Sequence, residues 1–395
     1  MPSDQTISYF GETNGRRPQR RFGIAAADRQ SHIYLVGKTG VGKSTLLEIL
    51  ARQDLSAGQG FVLIDPHGDL VERIHAAATE ADRERITYLN VPDTEQPFGY
   101  NPLRRVRADR IPLAAAGLLE TFRKLWPNAW GVRMEHVFRN SLYALLERDD
   151  ATLVDILRLY ANKGFRRSVV AGIRNQVVRH FWLDEFANYP PRFQAEAVAP
   201  IQNKLGALLA DPTLYRVLVE PVVDVRFRSL MDDGRILLVN LAKGKLGEDA
   251  TLLLGGLLVS TLGLAAFTRA EVAASDRRPF FIFVDEFQNF TTLAFVNMMS
   301  ELRKYGVGLT LAHQHLQQLE PDIRHAVLGN TGTLISFRVG AEDAGYLAKE
   351  FQPTFDVEDL LNLPNRNFYI KLMIDGSPSR PFSGRTLTVA FDGAS

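Results

Sequence analysis

The chain has 395 residues, 46% hydrophobic and 23% charged, with a net charge of +1. That length predicts two or three domains with sizeable cores, and the near-neutral charge excludes a polycation, so any nucleic-acid contact must come from local basic patches. There is no cysteine, which excludes structural disulfides and thiolate metal sites and permits a reducing cytosol.

Residues 1–30 read as a loop-like arm carrying Arg16, Arg17, Arg20, Arg21 and Arg29, either solvated or touching nucleic acid or nucleotide. Its polar start carries no secretory signal. Residues 33–36 are then a short apolar strand running into Gly37-Lys38-Thr39-Gly40-Val41-Gly42-Lys43-Ser44-Thr45, the phosphate-binding P-loop pattern. The glycines let the backbone turn tightly and point its N–H groups at phosphate oxygens. Lys43 reaches the β- and γ-phosphates of ATP, and Ser44 offers its hydroxyl to Mg²⁺. The apolar residues after Thr45 predict a helix whose N-terminal dipole favours the phosphates.

Residues 61–64 predict a strand buried on both faces, followed by an Asp-Pro-His-Gly-Asp turn with Asp69 as N-cap of the next helix. Residues 86–90 predict another strand. Alternating strands and helices predict an α/β layered sheet. From 109 to 220 the pattern becomes helical throughout, with predicted helices at 113–126, 134–147, 151–161, 166–183 and 192–210. This stretch holds Trp126, Trp130 and Trp182 and basic residues including Arg123, Lys124, Arg166, Arg167, Arg174 and Arg179. The α/β pattern resumes with strands at 236–241, 280–284, 307–312, 333–338, 368–373 and 386–390. Residues 252–267 are the most apolar run. They fall short of the ~20 residues a bilayer crossing needs, and predict a buried helix lying under the sheet. The expected organisation is an arm (1–30), an ATPase core (31–108 and 221–395) and an all-α insertion (109–220).

The strand at 280–284 ends in Asp285-Glu286, a Walker B pattern. Asp285 is expected to hold Mg²⁺ and Glu286 to act as general base on the attacking water. The strand at 307–312 ends in His313-Gln314, and Gln314 can donate and accept at the γ-phosphate and the lytic water. His313 and His315 lack a third ligand at a usual spacing, so no metal site is expected there. Arg303, before that strand, and Arg338, after the next, are both candidates for an arginine finger on a neighbour's ATP. Spacing does not choose between them.

Together these stretches resemble the HerA/FtsK superfamily of ring motor ATPases, with its type IV coupling proteins (TraG/TraD-like) the nearest branch. GKTGVGKST at 37–45, LIDPHGDL at 63–70, YLNVPDTEQPFGYNPL at 88–103 and FVDEFQNF at 283–290 carry the resemblance. RKYGVGLTLAHQHLQQL at 303–319 and GNTGTLISFRVGAEDA at 329–344 extend it. It implies a RecA-like P-loop core with a central, mostly parallel sheet, interrupted by an all-α domain that meets DNA or relaxosome partners. It implies ATP and Mg²⁺ as cofactors, and places Arg303 where coupling proteins carry their finger. The implied function is an ATP-hydrolysing, DNA-translocating homo-hexamer acting on single- or double-stranded DNA. Secretion-channel or relaxosome proteins are the implied partners. The expected location is cytoplasmic, peripheral at the inner membrane, with no integral membrane segment. A protein-secretion or pilus-assembly ATPase of the same superfamily, or an ATP-dependent assembly switch, would share the catalytic residues.

Overall fold

The structure, a computed structural model, describes residues 6–15 and 18–388. Arg16 and Arg17, and the last two residues of the strand expected at 386–390, lie outside the described residues. The chain divides into two units. One holds the described residues up to Asn90, Arg228–Ala242 and the described residues from Ala266 onward. The other holds Val91–Phe227 and Lys243–Ala265.

The strands in chain order are β1 (Ile7–Thr13), β2 (Arg21–Ala25), β3 (Ile33–Val36), β4 (Gly60–Asp65), β5 (Ile86–Asn90), β6 (Phe98–Gly99), β7 (Val223–Asp224) and β8 (Ile236–Asn240). They continue with β9 (Phe280–Val284), β10 (Val307–His313), β11 (Thr333–Ser336), β12 (Asn367–Lys371), β13 (Met373–Ile374), β14 (Ser377–Pro378) and β15 (Phe382–Thr386). Eleven of them form one sheet, in the order β2-β1-β15-β12-β11-β3-β10-β9-β4-β8-β5. From β11 to β5 all neighbours are parallel. Their apolar runs have no alternation because helices cover both faces: every residue of β3, β4, β8, β9 and β10 is buried. The remaining four strands join antiparallel.

The loop-like arm expected at 1–30 is therefore corrected, since β1 and β2 complete the sheet. Ser8 and Phe10 point inward while Ile7 and Tyr9 are 44% and 45% exposed, so only Phe10 keeps the usual apolar-in pattern. Arg29 is not a surface contact either. It is 2% exposed and forms a bidentate pair with Asp54 at 2.6 and 2.7 Å. It also donates to Ser8 Oγ at 3.1 Å and lies 3.7 Å over the Phe281 ring. The final strand runs Phe382–Thr386, ending where the sequence pattern places its start.

Behind the opposite sheet edge from the P-loop, His32 is buried with φ 67°. Its Nδ1 accepts from the Leu309 N–H at 3.0 Å, so Nε2 carries the proton and donates to the Met299 carbonyl at 2.9 Å. Burial, reinforced by Arg303, lowers its pKa to about 4, against the opposing pull of the Met299 carbonyl. A depressed histidine pKa means the unfolded chain takes up the proton first. Its contribution is intact above pH 6.5 and disappears as pH falls toward 4. Wild type is thus expected to lose about 2 kcal/mol more between pH 7 and 5 than His32→Asn, measured by urea unfolding. Equal losses would refute this assignment.

The second unit is helical: Ile111–Leu125, Val132–Leu145, Leu153–Ala161, Lys163–Gly172, Gln176–His180, Pro191–Leu209 and Pro212–Leu218. The single helix expected at 166–183 is split. Asn175 caps a new helix by accepting from the Val177 and Val178 N–H groups, which stops the preceding one. The apolar run lies in the helix Glu248–Thr268, which is long and apolar enough to cross a membrane, but 78% of its most apolar window is buried. It was expected under the sheet, yet most of it belongs to the helical unit. Tyr100 Oη donates to the Leu254 carbonyl at 2.7 Å. Gly256 lies so close to Thr121 that an added Cβ would come within 2.8 Å of its methyl, so small residues set this helix contact.

Candidate active site

Three neighbouring strands deliver the predicted residues to one edge. Val36 is paired with His313, and Val284 with Leu311, so Gly37, Gln314 and Asp285 leave the sheet together at the carboxyl ends. Ligands of open α/β sheets bind at that edge. The P-loop follows β3, with Gly40 at φ 76° and Gly42 at φ 121°, then the helix Lys43–Ser56. Lys43 Nζ donates to the Gly37 and Lys38 carbonyls at 2.6 and 3.0 Å. Burial lowers its pKa, with Asp285 and Glu286 pulling the other way.

Ser44 Oγ donates to Asp285 Oδ2 at 3.1 Å. Asp285 is buried, and its pKa is raised to about 6 by that burial and by the nearby Asp65 and Glu286 carboxylates. An excess of buried negative charge beside a hydroxyl fits a hard cation. Mg²⁺ takes only one or two protein oxygens and completes its shell with phosphate and water. Among the described residues no group of three or more His, Asp or Glu forms an all-protein metal cage.

Glu286 sits in the left-handed region at φ 49°, an uncommon conformation for a residue with a side chain. Gln314 Nε2 donates to its Oε1, and Gln288 Nε2 donates to its Oε2 at 2.5 Å. Gln314 Oε1 in turn accepts from Thr39 Oγ1 at 3.0 Å, linking P-loop to sensor strand. Lys43, Ser44, Asp285, Glu286 and Gln314 thus converge on one cavity of about 400 Å³, shared with Thr39, Gly40, Gly42 and Thr45. His67, Asn365 and Arg366 also line it, and sequence reasoning assigned them no role. Gln288 was missed too, although its place two residues after Glu286 was the available signal.

The finger candidates lie elsewhere. Arg303 is exposed in the turn before β10, so a seven-residue strand of roughly 20 Å separates it from Gln314. Arg338 is held locally, donating to the Leu363 carbonyl at 3.1 Å and to Asn365 Oδ1 at 2.9 Å. His313 is buried with Nδ1 2.7 Å from Tyr34 Oη, and His315 faces Asp343 at 3.5 Å. The expected Asp69 cap is corrected: Gly68 occupies the cap position, and Asp65 accepts from the Leu70 and Val71 N–H groups at 2.8 and 3.2 Å. Asp65 reaches them because β4 ends directly behind the helix start.

Residues 23–102, which contain the P-loop and the Asp65 turn, match the family described as the central domain of helicase HerA. Residues 279–351, which contain Asp285, Glu286, Arg303, Gln314 and Arg338, match the TraM recognition site of TraD and TraG. The chain is HerA/FtsK-like. Solved structures agree on the fold of this HerA/FtsK-like chain. It is similar to plasmid coupling protein TrwB in complex with ADP and Mg²⁺, at 16% identity over 93% of this chain and 87% of that one, with a TM-score of 0.65. It is likewise similar to VirB4 of Thermoanaerobacter pseudethanolicus, at 14% identity over 99% and 98%, with a TM-score of 0.65. The architecture is the RecA-like P-loop fold around a mostly parallel sheet. No curated protein matches the sequence.

Proposed function

We propose that this HerA/FtsK-like chain is an ATP-hydrolysing motor that works as a ring and moves DNA, of the kind that feeds a type IV secretion channel. The observation that carries the reading is the convergence of Lys43, Ser44, Asp285, Glu286 and Gln314 on one cavity. TrwB, similar in fold, has been determined with ADP and Mg²⁺.

In this reading the P-loop amides and Lys43 hold the phosphates, and Ser44 and Asp285 hold Mg²⁺. The bound Mg²⁺ would neutralise charge on the phosphates. Glu286 takes a proton from the attacking water, and the amides of Gln288 and Gln314 fix its two oxygens in place. Gln314 bridges Glu286 and Thr39, so it can sense the phosphate end of the pocket. Arg303 lies too far from its own pocket to act there, which suits donation to a neighbouring subunit.

With a net charge of +1, DNA affinity must come from a few gathered Lys and Arg side chains. Binding should then fall steeply with salt through counterion release. ATP turnover is expected to rise when DNA is added and to fall on dilution as rings dissociate. Lys43→Ala subunits, which keep Arg303, should restore activity to Arg303→Ala subunits in mixed rings. Turnover across dilution and mixing series measures this. Constant specific activity down to a demonstrated monomer, without rescue, would remove the shared-site ring. Indifference to both single- and double-stranded DNA would favour protein cargo instead.

A further inference from the structure

We propose that Arg366 is a second phosphate-binding cation of this pocket, supplied by the same chain and aimed by Arg338. The proposal rests on the nucleotide-binding reading of the cavity and adds a ligand that the P-loop and Walker B patterns do not contain.

The backbone of Arg366 is pinned on both sides. Its N–H donates to the Val41 carbonyl of the P-loop at 2.7 Å, and its carbonyl accepts from the Thr386 N–H on β15 at 2.8 Å. Between these anchors Arg366 adopts φ 66°. Such a backbone costs a non-glycine residue of order 1 kcal/mol or more, and residues held this way cluster at ligand clamps. The contact with the P-loop is intimate. A Cβ added to Gly42 would lie 3.4 Å from Arg366 Cα and 3.6 Å from its Cγ, so a glycine is what lets the arginine stem lie against the phosphate loop.

The loop that carries it is braced by the other arginine. Arg338 donates to the Leu363 carbonyl and to Asn365 Oδ1, while its own carbonyl accepts from the Lys38 N–H at 2.9 Å. Residues 363–366 are therefore fastened to the P-loop at Lys38 and at Val41. The two guanidinium groups have different duties. That of Arg338 is committed to the loop, whereas Arg366 is an exposed residue that lines the cavity with Lys43. No ion pair with a carboxylate is found for Arg366 among the described residues. A guanidinium fork matches the oxygens of a di- or triphosphate and gives a stronger hydrogen bond than a neutral donor.

Calorimetric titration with ADP and with a non-hydrolysable ATP analogue tests this on wild type, Arg366→Gly, Arg366→Lys and Arg338→Gln. Arg366→Gly removes the cation while relieving the left-handed backbone, so nucleotide-free thermal stability should stay level or rise. Nucleotide affinity should nevertheless fall about 10- to 100-fold. Arg366→Lys should keep part of it, and Arg338→Gln should weaken binding with a smaller change, because it loosens the aim and not the charge. Affinity within twofold of wild type for Arg366→Gly would overturn the proposal and leave the nucleotide site standing. Absence of nucleotide binding by folded wild type would overturn both.

Discussion

Glu286→Gln is expected to bind ATP and leave it uncleaved, with turnover down by about 10²- to 10⁴-fold, the span ascribed to a positioned base. The substitution keeps the length and shape of a side chain that is only 7% exposed. It removes the ability to take a proton. It also puts an NH₂ group where an acceptor stood, so either Gln288 or Gln314 must turn its amide around. Either can turn: a turned Gln314 would donate Nε2–H to Thr39 Oγ1, since a hydroxyl accepts as well as donates. Folding should survive this, because amides can donate or accept at either end. Asp285→Asn should differ in kind. Its loss should appear first in the Mg²⁺ requirement for binding, since the carboxylate beside Ser44 is the charge offered to the cation. Single-turnover hydrolysis and Mg²⁺ titrations of both variants check this. Matching profiles would mean that the two carboxylates have been given the wrong roles.

Lys43→Ala should abolish turnover and weaken nucleotide binding without harming the empty chain. Burial lowers the Lys43 pKa and outweighs the pull of Asp285 and Glu286, so the empty protein holds this charge at a cost. What is lost in the empty protein is a pair of bonds to the Gly37 and Lys38 carbonyls, and because Lys43 itself lines the cavity, removing its side chain opens a path for water to them. Nucleotide-free thermal stability is therefore expected to match wild type or exceed it, while turnover falls by a factor on the order of 10³. Near-normal hydrolysis by a folded Lys43→Ala protein would sink the P-loop assignment.

The parallel strands were legible because burial on both faces leaves an unbroken apolar run, as in Phe280–Val284. The P-loop was legible because its spacing is dictated by phosphate geometry. The antiparallel strands were harder. β1 buries Ser8, exposes Ile7 and Tyr9, and has a register shift between Tyr9 and Gly11, so its side chains do not follow the period that marks a half-buried strand. Arg29 looked like surface charge because its partner, Asp54, is 25 residues away on a helix. Arg366 was illegible for a related reason. It reaches the P-loop through strand pairing more than 300 residues along the chain, and no local motif records that meeting. Spacing alone leaves Arg303 and Arg338 as equal finger candidates, and only the family resemblance favours Arg303. The structure separates them by showing one exposed at the far sheet edge and the other tied down beside the P-loop.

The pairing of β1 with β15 has a consequence for how the polypeptide reaches its final form. Gly11, Glu12 and Thr13 find their partners in Thr386, Arg385 and Gly384. Contacts between segments so far apart in sequence form slowly, because a long loop must close before they can contribute. On the ribosome the β1–β2 hairpin emerges long before β15 and must wait for it, with one strand edge unpaired in the meantime. An unpaired edge is a template for other chains. Loss of residues 382–386 by early termination or proteolysis would make that interim condition permanent. It would also release the Thr386 anchor that holds Arg366 against the phosphate loop. Pairing of β15 with β1 and anchoring of the pocket are, in this chain, the same event.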